Sequence, residues 1–265
     1  MRYFSTLQYF RQNGPIFIYL GGEGVADPVH LQIGVIQELA QETGGAMFMT
    51  EHRYYGLSKP FPNLNTENLK WLSSAQALAD IAKLITYIKS DPKFMRSKVV
   101  LIGGSYAGNL AAWMRLKFPN LVDAAYASSS PVLAKKDFYE YLEKEFYLQI
   151  CKDLFGADFN EAKVDRGVQK TNQVYGGLRP NVTRVVFVNG DVDPWSTLSI
   201  LVKQSSEVPA VVIPGAIHCQ DLSATYYSRE ALKQATKYAI SMVKTWIGMG
   251  NGPRWMDAAL QTPTV

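Results

Sequence analysis

Short apolar runs alternate with longer helical patterns almost from the start of the chain. The run PIFIYLGG (15–22) precedes a helix-like stretch from about Leu31, then AMFMTEHR (46–53), then SAQALADIAKLITYIKSD (74–91). In the last of these Leu78, Ile81, Ile85 and Ile88 recur at spacings of three and four, which predicts a helix with one face buried on a sheet; Asp91-Pro92 stops it. The series continues with KVVLIGGS (98–105), a helix through NLAAWMRLKF (109–118) and a strand at DAAYASSS (123–130). From Lys135 to Tyr175 the pattern turns helical and polar. Two further strands, RVVFVNGD (184–191) and VPAVVIPG (208–215), precede a closing helix from about Ser228 to Ile247. Alternation of this kind predicts parallel strands joined by crossover helices, an α/β fold.

The length of 265 residues, 47% of them hydrophobic, suits one large domain. The net charge of +4 is scattered and never gathers into a basic run, which argues against nucleic acid as a partner. No apolar stretch reaches the roughly 18–20 residues of a membrane helix, and MRYFSTLQYF lacks the apolar region and cleavage site of a signal peptide, so the expectation is a soluble chain without a leader. Cys151 and Cys219 read equally well as one disulfide or as two thiols, and neither has zinc-ligand spacing. Asn181 opens the triplet NVT, a glycosylation signal if the protein enters the secretory pathway.

The chemistry begins at IGGSYAGNL (102–110). Ser105 ends a Val/Ile/Leu run and precedes a helix, the context in which a strand-to-helix elbow exposes a nucleophilic hydroxyl. Gly103, Gly104, Ala107 and Gly108 supply the small neighbours such a turn needs, although Ala107 breaks the strict Gly-x-Ser-x-Gly pattern by one methyl group. The competing reading is a serine that caps a helix. A serine hydroxyl needs a base and an acid that orients it, in the chain order Ser, Asp or Glu, His. Of three histidines, His30 and His52 precede Ser105, which leaves His218, in a loop after the last strand. For the acid, the turn after RVVFVN offers Asp191 and Asp193, and spacing does not choose between them. The oxyanion donors expected are the backbone N–H of Tyr106 and one from the GGEG turn (21–24), represented by Gly22. The triad supplies both nucleophile and proton transfer, so neither metal nor organic cofactor is implied.

The ordered set GGEG, EHRYYG, GGSYAG, NGDVDPW and HCQD resembles the serine peptidases of the family of prolyl carboxypeptidase, dipeptidyl peptidase 2 and thymus-specific serine protease. The resemblance covers nearly the whole chain up to the final helix. It implies an α/β-hydrolase core, with Ser105 as nucleophile, Asp193 rather than Asp191 as acid and His218 as base. It further implies that Trp195 walls a pocket for proline or a small apolar side chain, and that peptide is the substrate. The activity implied is that of an exopeptidase acting on proline-containing peptides, of dipeptidyl-peptidase or carboxypeptidase type. An esterase or lipase on the same fold, or a truncated non-catalytic interaction protein, are the alternatives. Glu51, His52 and Arg53 are expected to support the site by buried ion pairing, while Glu23 and Arg53 are the charged candidates for binding a substrate terminus.

Members of that family are secreted or lysosomal and carry a large helical cap between nucleophile and acid. QICKDLFG (149–156) resembles the segment after the cap, so most of the cap is expected to be missing between about Tyr141 and Leu148. The division expected is residues 1–134 as first part of the core, 135–176 as cap remnant, 177–250 as second part of the core and 251–265 as a tail, with a homodimer as an admissible assembly.

Overall fold

A computed structural model describes residues 1–141, 143–223 and 229–250. The expected tail (251–265) and Ser228, the expected start of the last helix, lie outside these. The strands are β1 (Tyr3–Thr6), β2 (Ile16–Tyr19), β3 (Ala46–Thr50), β4 (Val99–Gly104), β5 (Ala124–Ser128), β6 (Val185–Gly190) and β7 (Ala210–Ile213). The helices are α1 (Gly34–Thr43), α2 (Thr66–Leu69), α3 (Ser74–Lys89), α4 (Tyr106–Lys117), α5 (Lys144–Phe155), α6 (Glu161–Tyr175) and α7 (Glu230–Trp246). The strands form one seven-stranded sheet in the order β1-β3-β2-β4-β5-β6-β7. Every pairing is parallel except β1 with β3.

Strand periodicity builds the two layers that cover the sheet. In β4, Val99 and Leu101 face the helices α3 and α4, whereas Val100 and Ile102 face α1 and α7. The buried stripe of α3 is Ala77, Leu78, Ile81, Leu84, Ile85 and Ile88, which contains all four positions read from the sequence. Ser73 caps this helix by accepting from Gln76 N at 3.3 Å. Each fully buried aliphatic side chain of this kind contributes about 1.5–3 kcal/mol by leaving water.

Three elements differ from the sequence reading, one being the short helix α2, which that reading lacks. Strand β1 is absent from it, because four residues at the antiparallel edge of a sheet bury one side only partly and leave too short an alternation to detect. The helix expected from about Leu31 is split: a 3₁₀ turn at Pro28–Leu31, capped by Asp27, stops before α1 starts at Gly34 with φ 70°. There a side chain would collide with the carbonyl of Leu222.

Helices α5 and α6 contain no buried residue. Both are tied to the core: Thr66 Oγ1 on α2 donates to Leu154 O on α5 at 3.0 Å, and from α6 Asn172 bonds both backbone groups of Ala134 at 2.9 Å while Tyr175 stacks on Trp113 at 4.1 Å. Both cysteines are free thiols, Cys151 on α5 and Cys219 beside His218.

Candidate active site

Because β2, β4, β5, β6 and β7 run parallel, their carboxyl ends share one edge of the sheet, and the loops leaving them converge there. Ser105 follows β4 with φ 56° and ψ −130°, a conformation that L-residues adopt only under constraint. Its N–H donates to Ser128 O at 2.9 Å, and its carbonyl accepts from Gly108 N at 2.9 Å. The hydroxyl makes no capping bond to α4, so the capping reading of this serine does not describe the structure. Strand and helix touch at this elbow. A side chain at Gly103 would run into the carbonyl of Ala107, and one at Gly108 into Ser130.

His218 lies beyond β7. Its Nδ1 meets both carboxylate oxygens of Asp193 at 2.9 Å. Asp193 is 2% exposed and accepts from Trp195 N at 3.0 Å, capping the 3₁₀ turn Pro194–Leu198. Asp191 points elsewhere: it is exposed, and its carboxylate accepts from Gly215 N. The geometry thus pairs Asp193, not Asp191, with the histidine. Partial burial of the His218 ring opposes protonation, but the bonds and negative charge of Asp193, with the adjacent Cys219, overcome it and raise the imidazole above its ordinary value.

The residues expected to supply the oxyanion donors lie close to the same elbow. Tyr106 is the first residue of α4, so its N–H has no partner within the helix. Gly22 lies over that first turn: a Cβ built on it would sit 3.8 Å from the Ala107 methyl group. Two buried groups hold these segments. Glu51, fully buried, accepts from Ala26 N at 3.2 Å, Leu57 N at 3.0 Å, Ser58 Oγ at 2.7 Å and Arg2 Nη2 at 2.5 Å. Burial alone would raise its carboxyl, but these donors lower it below the usual range. Thr50 Oγ1 accepts from Gly21 N at 3.0 Å, fixing the start of the same turn.

The EHRYYG stretch does more than ion pairing. His52 Nδ1 lies 2.8 Å from Arg53 O, which requires the proton on Nδ1 and makes Nε2 an acceptor. The Tyr106 hydroxyl, 3.2 Å from Nε2, therefore donates to it and receives from Ser74 Oγ at 3.2 Å. Burial pushes the Tyr106 phenol up to about 12, so it remains a donor. Only the fold brings these three residues together.

Arg53 is not free to bind a substrate terminus: it forks onto both oxygens of Asp80 at 2.7 Å and donates to Trp71 O. Glu23 stays exposed on the Gly21–Gly24 turn. Loss of surrounding water raises its carboxyl, partly offset by its own backbone and by the positive charge of His218. Trp195 packs on Phe138 at 4.9 Å and Tyr141 at 4.7 Å, with the His218 ring at 6.2 Å. It lines, with Phe138 and Tyr141, a cavity of about 500 Å³ beside α5 and α6, whose apolar walls include Leu133, Leu148 and Val168. Asn181 is exposed ahead of β6. Among the described residues no cluster of His, Cys, Asp or Glu could hold a metal ion, and no helix is long and apolar enough to cross a membrane.

Comparison with known proteins adds an independent line. The model of the family Serine carboxypeptidase S28 matches residues 1–144 and 142–238, two segments that meet where the cap was expected to be missing. The chain is 35% identical over 193 residues to Prolyl carboxy peptidase like protein 5 of Caenorhabditis elegans, covering 66% of this chain and 38% of that protein. It is 44% identical over 148 residues to the Thymus-specific serine protease of Homo sapiens (53% and 28%) and 40% identical over 136 residues to the Lysosomal Pro-X carboxypeptidase of Bos taurus (49% and 27%). The chain thus spans well under half the length of these relatives. Among solved structures, an esterase from Pseudomonas putida ECU1011 superposes with TM-score 0.59 at 16% identity, over 89% of this chain and 76% of that one. An esterase from Pyrobaculum calidifontis gives 0.56 at 17% identity, over 93% and 86%. At such identities the likeness shows the α/β-hydrolase fold.

Proposed function

Since this chain belongs to the Serine carboxypeptidase S28 family, we propose that it is a serine-type peptidase, an exopeptidase of proline-containing peptides. Ser105 attacks the scissile carbonyl, His218 takes its proton, and Asp193 holds the imidazolium. The N–H groups of Tyr106 and Gly22 receive the oxyanion, and water then releases the acyl group. The observation that carries this reading is the Asp193–His218 pair, its aspartate buried and its ring half-buried, at the edge of the sheet where the constrained Ser105 elbow lies. Trp195 offers an apolar wall beside the histidine for the proline ring. The name of the lysosomal relative and the exposed Asn181 support passage through the secretory pathway, with Asn181 carrying a glycan.

Covalent labelling of the full chain by a fluorophosphonate, blocked by prior acylation, is the test; an unlabelled, folded chain refutes the mechanism. Substrate choice separates this reading from a general esterase. With so little cap over the site, water weakens the contacts that would anchor a peptide. We expect small activated esters to turn over much faster than proline-containing peptide amides, and the amides with proline at the cleavage position faster than those without it. Equal rates on all amides would argue for an esterase.

The pH dependence follows from His218. As general base it must be neutral, and its imidazole is raised above the ordinary value of about 6.5. The acid limb of kcat/KM therefore rises through an inflection above pH ~6.5. Asp193→Asn removes the partner that favours the imidazolium, and its residual activity should show that limb at lower pH.

A further inference from the structure

The sequence motif HCQD contains an aspartate that the triad does not use. Asp221 sits in the 3₁₀ turn Gln220–Ser223, three residues beyond His218, and is 3% exposed. Its two oxygens accept from two side chains of β5: Tyr126 Oη at 2.8 Å and Ser128 Oγ at 2.6 Å. Residues 126 and 128 share one face of the strand, so a single carboxylate spans both donors. Between His218 and Asp221, Cys219 adopts φ 54°, its N–H donates to Ser129 Oγ at 2.9 Å, and its Sγ lies 2.9 Å from where a Cβ on Gly104 would stand. The turn carrying the histidine is therefore clamped to the end of β5 and to the residue just before Ser105.

We infer that Asp221 is the positioning residue of the site: by bonding Tyr126 and Ser128 it sets where the His218 ring stands relative to Ser105. This rests on the reading of His218 as general base. Asp193 orients the ring through Nδ1, from β6. Asp221, in the histidine's own loop, places the backbone of the same residue through its bonds to β5. One carboxylate at the ring and one that anchors the ring's own loop determine direction and position separately, and proton transfer is sensitive to both.

An uncharged anchor would serve if only the fold needed it, because burying a carboxylate is costly. That cost is visible: desolvation raises the Asp221 carboxyl to about 6, against the bonds from Ser128 and Tyr126 and the charge of His218. The titratable groups that act on it are His218 on its own loop, Tyr126 on β5 and Tyr19 on β2, and Glu38 on α1, the helix packed against this turn, adds a second negative charge at Tyr126. Ionised, Asp221 accepts from both β5 donors and adds negative charge behind the imidazolium that forms during acylation.

The test compares wild type with Asp221→Asn, Tyr126→Phe and Ser128→Ala in the full chain, by ester kinetics and by ¹⁵N NMR titration of the histidine rings. The expected result for Asp221→Asn is kcat lower by about 10²-fold, with KM within about twofold and the His218 titration moved to lower pH. Tyr126→Phe and Ser128→Ala each remove one donor and should lower kcat in the same direction by about tenfold. If Asp221→Asn fails to fold, these two milder variants decide. Variants that melt earlier but keep wild-type kcat and an unmoved His218 titration would overturn the proposal. The NMR titration does not depend on turnover, so a wild-type chain that no fluorophosphonate labels refutes the peptidase reading, while the His218 shift still judges Asp221.

Discussion

Replacing Ser105 by alanine removes fluorophosphonate labelling and lowers ester turnover by roughly 10⁶-fold, the usual loss when the nucleophile of such a triad is deleted. The effect is so large because the hydroxyls nearest to Ser105 are engaged elsewhere. The adjacent hydroxyls, Ser128 and Ser130, are fully buried and bonded within the core, Ser128 to Asp221 and Ser130 to the carbonyl of Ser128. The alanine methyl group fits wherever the serine Cβ stands, so thermal unfolding should change little. The positive φ at 105 is kept by the backbone bond from Ser105 N to Ser128 O. Retention of more than a small fraction of wild-type turnover in a correctly folded Ser105→Ala protein would refute Ser105 as nucleophile.

The second large effect concerns the acid. Asp193→Asn is expected to cost about 10⁴ in turnover, because an amide beside Nδ1 favours the tautomer whose Nε2 carries the proton and cannot accept one from serine. Asp191→Asn should cost far less. Its carboxylate joins the β6 and β7 loops through Gly215 N and does not reach the histidine. Steady-state kinetics of the two variants, measured on one activated ester, give the ranking directly. A greater loss from Asp191→Asn would move the acid by two residues and contradict the geometry of the His218 pair.

Much of the core was legible in the chain itself. Val99 to Ile102 are apolar at every position because both faces of a parallel strand are covered, and the small residues that follow announce a strand that turns directly into a helix. Choosing His218 required only a count of three histidines and an order along the chain. The stripe of α3 was equally plain, since helical burial repeats every three or four residues whatever lies opposite.

Asp191 and Asp193 could not be separated by residue-level spacing, because both stand in one turn at one strand end. The family resemblance favoured Asp193, and the fold shows why: residue 193 caps a 3₁₀ turn and aims its carboxylate at a ring 25 residues away, while residue 191 closes onto β7. Arg53 looked available for a substrate terminus until Asp80, on a separate helix, occupied both its forks. The His52–Tyr106–Ser74 relay and the Asp221 anchor were hidden for the same reason. Local sequence determines what repeats within one element, the burial period and the turn that ends it. A hydrogen bond between residues 54 or 95 positions apart depends on where the sheet places their strands, and only the tertiary structure decides that.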